Sequence, residues 1–227
     1  MIGAALRKRM CNLYSLTKGQ AAIRALFRIR RDLAGNLPAM PAVFPDAAAP
    51  IVRVAESGER QLELMRWGMP GPVQFGAAPV TNIRKCDSPH WRPWLGRENR
   101  CLVPATSFCE WTDARPKVAH WFAINDERPL FAFAGIWCEW HGVRGRKADP
   151  LDGKHRLYGL LTTEANDTVR PIHAKAMPVI LTREDEFEIW LNAPILDALK
   201  LQRPAPSQLL RIVAKGEKSD GADRAVA

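Results

Sequence analysis

The chain has 227 residues, 47% of them hydrophobic and 25% charged, with eight tryptophans, which suits one large globular domain better than two small ones. It carries 33 Lys and Arg against 24 Asp and Glu, a net charge of +9, a surplus that fits a polyanionic partner such as nucleic acid without requiring one. No apolar run reaches the roughly 18 residues of a membrane span, and the basic cluster Arg7-Lys8-Arg9 follows too short an apolar stretch for a secretory signal, so a cytoplasmic protein is expected.

Taken in chain order, Thr17-Lys18-Gly19-Gln20 matches a capping box. Behind it Ile23, Leu26, Phe27, Arg30 and Leu33 recur at helical spacing, with Gly35 as a stop. Arg24, Arg28, Arg30 and Arg31 on that helix form either a solvated face or a phosphate-facing surface. Residues 36–50 are rich in Pro and Ala and predict a loop. Strands are predicted over 51–55 and 61–67, where Leu62 and Leu64 alternate, followed by an exposed loop over 68–79. Ser88-Pro89 opens a short helix through Trp91 and Trp94. Further strands are predicted over 101–103, 108–112, 121–124, 130–140, 158–163 and 179–181, helices over 183–191 and 195–201, and a last strand over 209–213. Strands dominate the middle and helices sit at the flanks, which gives an α+β protein. No repeat or linker interrupts it. One domain is predicted over 11–214, and the polar tail 215–227 reads as disordered.

The five cysteines are odd in number and lack a C-x-x-C pair, which argues against a disulfide framework or a zinc site. No metal or cofactor is expected, and Cys101, Cys109 and Cys138 read as buried thiols. Cys11 is different, because it follows a methionine in Arg9-Met10-Cys11-Asn12. Without residues 1–10 the chain would begin with cysteine, and its net charge would fall from +9 to +6 through the loss of Arg7, Lys8 and Arg9. An N-terminal cysteine is a 1,2-aminothiol, which condenses with an aldehyde to an imine and closes to a thiazolidine; an internal cysteine, whose nitrogen is an amide, does neither. Residues 1–10 are therefore read as a leader, either lying ahead of a true start at Met10 or removed by self-cleavage before Cys11.

Three stretches set polar residues among apolar ones. In Thr81-Asn82-Ile83-Arg84 an extended piece would turn Asn82 and Arg84 to one face, as a sugar or phosphate acceptor or as an ordinary strand edge. In Ser107-Phe108-Cys109-Glu110-Trp111, Glu110 is either a carboxylate in apolar surroundings, suited to acid/base work, or a solvent-facing residue. His173, in a loop entering the strand at 179–181, is either a proton carrier or a structural histidine.

These residues, with Arg100-Cys101-Leu102-Val103-Pro104-Ala105, Ala134-Gly135-Ile136-Trp137, Thr162-Thr163-x-Ala165 and His173 ahead of Met177-Pro178-Val179-Ile180-Leu181, occur in the order found in the SOS-response-associated peptidase family, also called abasic-site processing proteins. The chain resembles that family from Met10 to about Leu201. The resemblance implies a compact α+β domain with a β-barrel-like mixed-sheet core, peripheral helices and a positively charged DNA groove. It implies a monomer that binds single-stranded DNA and links Cys11 to the aldehyde of an abasic site, in the SOS response to DNA damage. In that role Asn82 would orient the terminus and the sugar, Arg84 would hold a flanking phosphate, Glu110 would act as acid and base, and His173 would assist ring opening. Trp67 and Trp111 are candidates for stacking on bases, with core packing as the equal alternative for each. A cysteine peptidase using Cys11, His173 and Glu110, autoproteolytic or acting in trans, is the competing hydrolase reading; a lyase step and a purely non-covalent single-strand binder are also open. The sequence departs from the family where Asn12 and Leu13 follow the cysteine, where residues 38–50 read PAMPAVFPDAAAP, and where His173-Ala174-Lys175 replaces His-Asp-Arg.

Overall fold

A computed structural model describes residues 12–220 except 73, 75–77, 114 and 147. Cys11, the predicted nucleophile, and the predicted leader lie outside the described residues. The chain opens with β1 (Tyr14–Leu16), α1 (Gln20–Leu26), β2 (Arg31–Asp32), β3 (Met40–Val43), β4 (Ala48–Val54) and β5 (Arg60–Trp67). Next come β6 (Asn82–Ile83), two 3-10 turns (Arg92–Trp94 and Arg97–Asn99), β7 (Arg100–Ala105), β8 (Ser107–Trp111) and β9 (Ala119–Ala123). The long β10 (Phe131–Arg146) and β11 (Asp149–Thr163) precede β12 (Met177–Pro178), β13 (Ile180–Leu181), α2 (Glu184–Asn192), α3 (Ile195–Ala198) and β14 (Arg211–Lys215).

Strands β7, β4, β5, β11 and β10 form a closed barrel. Its antiparallel ladders run β10–β11, β10–β7 and β4–β5, and Val52 opposite Leu102 joins β4 to β7. A parallel pairing of β5 with β11, Arg66 opposite Leu157 and Trp67 opposite Tyr158, completes the ring. Alternation along the strands separates two cores. Cys101, Val103, Phe133, Trp137 and Tyr158 point into the barrel, while Leu102, Ile136, Leu157 and Leu161 face outward, where Phe27 of the α1 region and Phe187, Trp190 and Leu191 of α2 cover them. Trp190 is pinned there, its indole N–H donating to Cys101 O at 2.9 Å and Gly135 O at 3.2 Å.

The second sheet has five antiparallel strands in the order β14-β9-β8-β1-β3. Tyr14, Phe108 and Phe122 of this sheet join the cluster inside the barrel, so the two sheets share one core. The α+β class and the barrel core are therefore present as expected.

Several local expectations change. The predicted capping box does not form: Gly19 stands at the helix N-cap, and Thr17 Oγ1 instead pairs with Thr106 Oγ1 at 3.2 Å. Gln20 donates to Asp32 Oδ2 at 2.7 Å and to Gly35 O at 2.8 Å. The helix stops at Leu26, because Arg28 takes a left-handed φ of 50° and Arg31–Asp32 pair with β5. Tertiary pairing outweighs helical periodicity here. The predicted loop 36–50 contains β3 and the start of β4, with Pro50 in a part of β4 laddered to β5. The β10–β11 hairpin runs on beyond its apolar half; Arg144 stacks over Trp140 at 4.3 Å and donates to Gly68 O at 3.2 Å. At the far end Lys215 closes β14, residues 215–219 are exposed, and the chain is held by hydrogen bonds at Gly216, Glu217 and the fully buried Asp220.

Candidate active site

The start of the described chain is held between the two sheets. Leu13 O accepts the Cys109 N–H at 2.9 Å, and Tyr14 lies opposite Phe108 and Ser15 opposite Ser107. Carried back along the chain, this register brings Asn12 to the level of Glu110. On the barrel side, Asn12 Oδ1 accepts Thr81 Oγ1 at 2.7 Å and Asn82 Nδ2 at 3.5 Å, and Asn82 Nδ2 also donates to Thr81 Oγ1 at 3.1 Å. Asn82 is set by β6, which runs parallel to β11 with Asn82 opposite Leu160. Gly159 permits that approach, since a Cβ there would meet Ile83 Cδ1 and Met69 Cγ at 3.0 Å. Below this layer Tyr14 and Tyr158 share a hydroxyl–hydroxyl hydrogen bond of 2.7 Å, and Trp67 donates its indole N–H to Thr81 O at 3.1 Å. Three buried aromatic rings thus form a fixed floor.

Glu110 is buried in β8, opposite His120 of β9. Trp111, half-buried beside it, packs against the cluster of Leu13, Cys109 and Trp121. His173 is also buried, in a turn organised by Asn166: Asn166 Oδ1 accepts the Val169 N–H at 3.0 Å, and Val169 O accepts the His173 N–H at 2.9 Å. Its Nε2 has no hydrogen-bond partner among the described residues. Burial lowers the His173 pKa; Asp113 opposes that shift and Lys175 and Lys117 reinforce it. Asp113 and Lys117 belong to the connection between β8 and β9, so His173 lies beside the hairpin that carries Glu110.

Of the residues singled out in the sequence, Asn82 thus contacts Asn12 and Glu110 lies at its level, while His173 lies beside the β8–β9 connection. Asn82 is buried, whereas Arg84 is exposed. The strand ends at Ile83, and Arg84 stands at the exposed rim, ion-paired to Glu164 at 3.4 Å. Trp67 is corrected outright: it is completely buried, edge-on to Tyr14 at 5.2 Å and stacked on Tyr158 at 6.4 Å, so no face is available to a base. Thr81 and Asn12 were missed, although Thr81 neighbours Asn82 and Asn12 follows the cysteine. The basic residues of α1 and the turn after it are partly neutralised, Arg24 lying 3.9 Å from Asp32 and Arg28 3.6 Å from Glu184.

The thiols within the described residues are poor nucleophiles. Burial pushes Cys109 and Cys138 up to about 12 and Cys86 to about 11, and raises Cys101 further still. Among the described residues no three His, Cys, Asp or Glu side chains cluster as metal ligands would, and no helix is long and apolar enough to cross a membrane.

Residues 10–215 match the model of the family described as SOS response associated peptidase (SRAP). The chain belongs to this family. It is 31% identical over 156 residues to the abasic site processing protein YoqW of Bacillus subtilis, a match covering 66% of this chain and 65% of YoqW. YoaM of the same organism, also named an abasic site processing protein, is 37% identical over 154 residues, covering 61% of this chain and 60% of that protein. The vertebrate abasic site processing protein HMCES of Xenopus tropicalis is 26% identical over 181 residues, covering 66% of this chain and 51% of HMCES. The chain therefore spans less than two thirds of the length of these curated relatives. A crystal structure from Bacteroides thetaiotaomicron, 21% identical, superposes with a TM-score of 0.69 over 88% of this chain and 90% of that one. One from Bordetella bronchiseptica, 22% identical, gives 0.68 over 91% and 98%. At these identities both likenesses concern the fold alone.

Proposed function

We propose that this chain processes abasic sites in single-stranded DNA by joining Cys11 to the sugar aldehyde. The observation that carries this reading is the course of β1, which sets Asn12, the residue after Cys11, against Asn82 and at the level of Glu110. With residues 1–10 absent, whether through initiation at Met10 and loss of that methionine or through cleavage ahead of Cys11, the terminus is an aminothiol. Its amine has a reference pKa of about 7.7–8.0 and its thiol about 8.5, so both are partly reactive near neutrality. The amine condenses with the aldehyde, releasing water, and the thiol then adds across the C=N bond to give the thiazolidine.

An abasic sugar is mainly a closed hemiacetal. Glu110 would donate and accept protons as the ring opens and the imine forms, and His173, held toward its neutral form by burial, would take part in the same transfers. Asn82 would orient the terminus and the sugar, as it already engages Asn12. Arg84 at the rim would hold a flanking phosphate, and the exposed part of Trp111 would stack on a neighbouring base. Fixing amine, thiol and aldehyde together makes ring closure effectively intramolecular. The relatives' names as abasic site processing proteins support the substrate, and the surplus of basic residues suits a DNA strand.

Cys11→Ala tests the reading. It should abolish the covalent band with abasic single-stranded DNA on a denaturing gel while keeping salt-sensitive binding. Persistence of the covalent band would overturn the assignment of Cys11.

A further inference from the structure

We propose that Asp220 is a positioning residue for the reactive end of the chain, acting through the two strands that flank β1. β1 has three residues and lies between β8 and β3, and its pairing with β3 slips register between Tyr14 and Leu16. So short a strand has few ladder bonds of its own, and its aim depends on its neighbours. Asp220 ties those neighbours together. Its backbone N–H donates to Pro41 O in β3 at 2.9 Å. Its carboxylate accepts Ser107 Oγ of β8 at 2.5 Å, and Arg128 Nε and Nη2, from the turn after β9, at 2.8 and 2.7 Å.

A fully buried carboxylate holding a bidentate guanidinium and a hydroxyl is a strong local constraint, because removing one partner leaves the other charge uncompensated. The path to Asp220 is fixed as well: Gly216 N–H donates to Ala119 O at 2.9 Å, and Trp121 Nε1 donates to Glu217 O at 3.0 Å. Ser107 lies opposite Ser15 of β1 and in the same strand as Glu110. A shift at Ser107 therefore moves both the chain start and the carboxylate proposed to act on it. Asp220 follows residue 215, where the family match ends, so the SRAP match does not account for this tie.

The inference rests on the proposed function, and the test separates the two. In the full chain beginning at Cys11, Asp220→Asn should raise hydrogen exchange at residues 13–16, without DNA, by about tenfold. Crosslinking at saturating abasic oligonucleotide should slow by about tenfold, as expected for a misplaced terminus. Non-covalent affinity for the same oligonucleotide, measured with Cys11→Ala added, should change by less than about twofold. Leu191→Ala in α2, which lowers stability away from this sheet, should leave the crosslinking rate at the wild-type level. Ser107→Ala, which removes one donor, provides a milder form of the test if Asp220→Asn does not fold. Wild-type crosslinking by a folded Asp220→Asn protein, or unchanged exchange at residues 13–16, would overturn the proposal. If the unaltered protein forms no adduct, the proposed function fails, and hydrogen exchange alone decides whether Asp220 positions β1.

Discussion

In the barrel, β5 and β11 meet in parallel at Arg66–Trp67 and Leu157–Tyr158 and leave no free edge among the five strands, whereas the sheet containing β1 and β8 ends on β14 and β3. The barrel is further fixed by a full aromatic interior and by helices over its outer face. The open sheet relies on side-chain ties, including Thr17 and Ser15 to Thr106 and the Asp220 cluster. The candidate site straddles the two. Asn82 and Thr81 come from the closed half, while Asn12, Glu110 and Trp111 come from the open half. The difference teaches that, on the proposed function, the closed half supplies the receiving surface and the open half carries the groups proposed to react. Closure of hydrogen-bonded strands protects the first, whereas the second has open edges and adds a few polar ties to the core it shares with the barrel.

Substitutions on the two halves should therefore fail in different ways. Trp67→Ala removes a buried barrel residue and should cost about 3–5 kcal/mol in urea unfolding, in line with other large-to-small core changes. Trp111→Ala on the open sheet should unfold near the wild-type midpoint and instead weaken single-strand binding; a large stability loss there would erase the contrast. Glu110→Gln should slow crosslinking by about 100-fold or more while strand affinity is kept, the pattern of a lost acid/base group. Arg84→Gln should weaken binding evenly across sequences and reduce the salt slope by about 1. An unchanged slope would mean that Arg84 stays with Glu164 and meets no phosphate.

A subtler effect concerns His173. Burial depresses its pKa, so the native state resists a proton that the unfolded chain accepts below about pH 6.5. Stability should then fall as pH drops from that value toward the lower native pKa. His173→Gln should flatten that part of the urea-midpoint profile; an unchanged profile would show that His173 does not govern it.

The sequence carried the strand-rich centre clearly, because Cys101, Val103 and Phe133 alternate with Leu102 and Ala134 in apolar runs that have few alternatives. It misled where local signals competed with distant partners. Thr17 bonds to Thr106 rather than capping a helix, and Arg31 leaves the helical repeat to pair with Gln61. Asn82, Glu110 and His173 were recognisable as polar residues embedded in apolar stretches, and all three are buried. Trp67 shows the limit of such reasoning. A tryptophan next to a Gly/Pro loop looks available for stacking, yet its indole N–H and both neighbouring tyrosines draw it into the floor. Asp220 had no local signal at all, since its partners Pro41, Ser107 and Arg128 are distant in sequence.

The most direct measurement compares the chain beginning at Cys11 with the chain beginning at Met1 and verified intact by mass. Each is incubated with abasic single-stranded DNA and analysed by denaturing electrophoresis and peptide mass mapping. The prediction is an adduct on the Cys11 residue of the first protein, at the combined mass less one water, and none on the second. An adduct on the uncleaved second protein, or one mapped to any residue other than Cys11, would contradict the account.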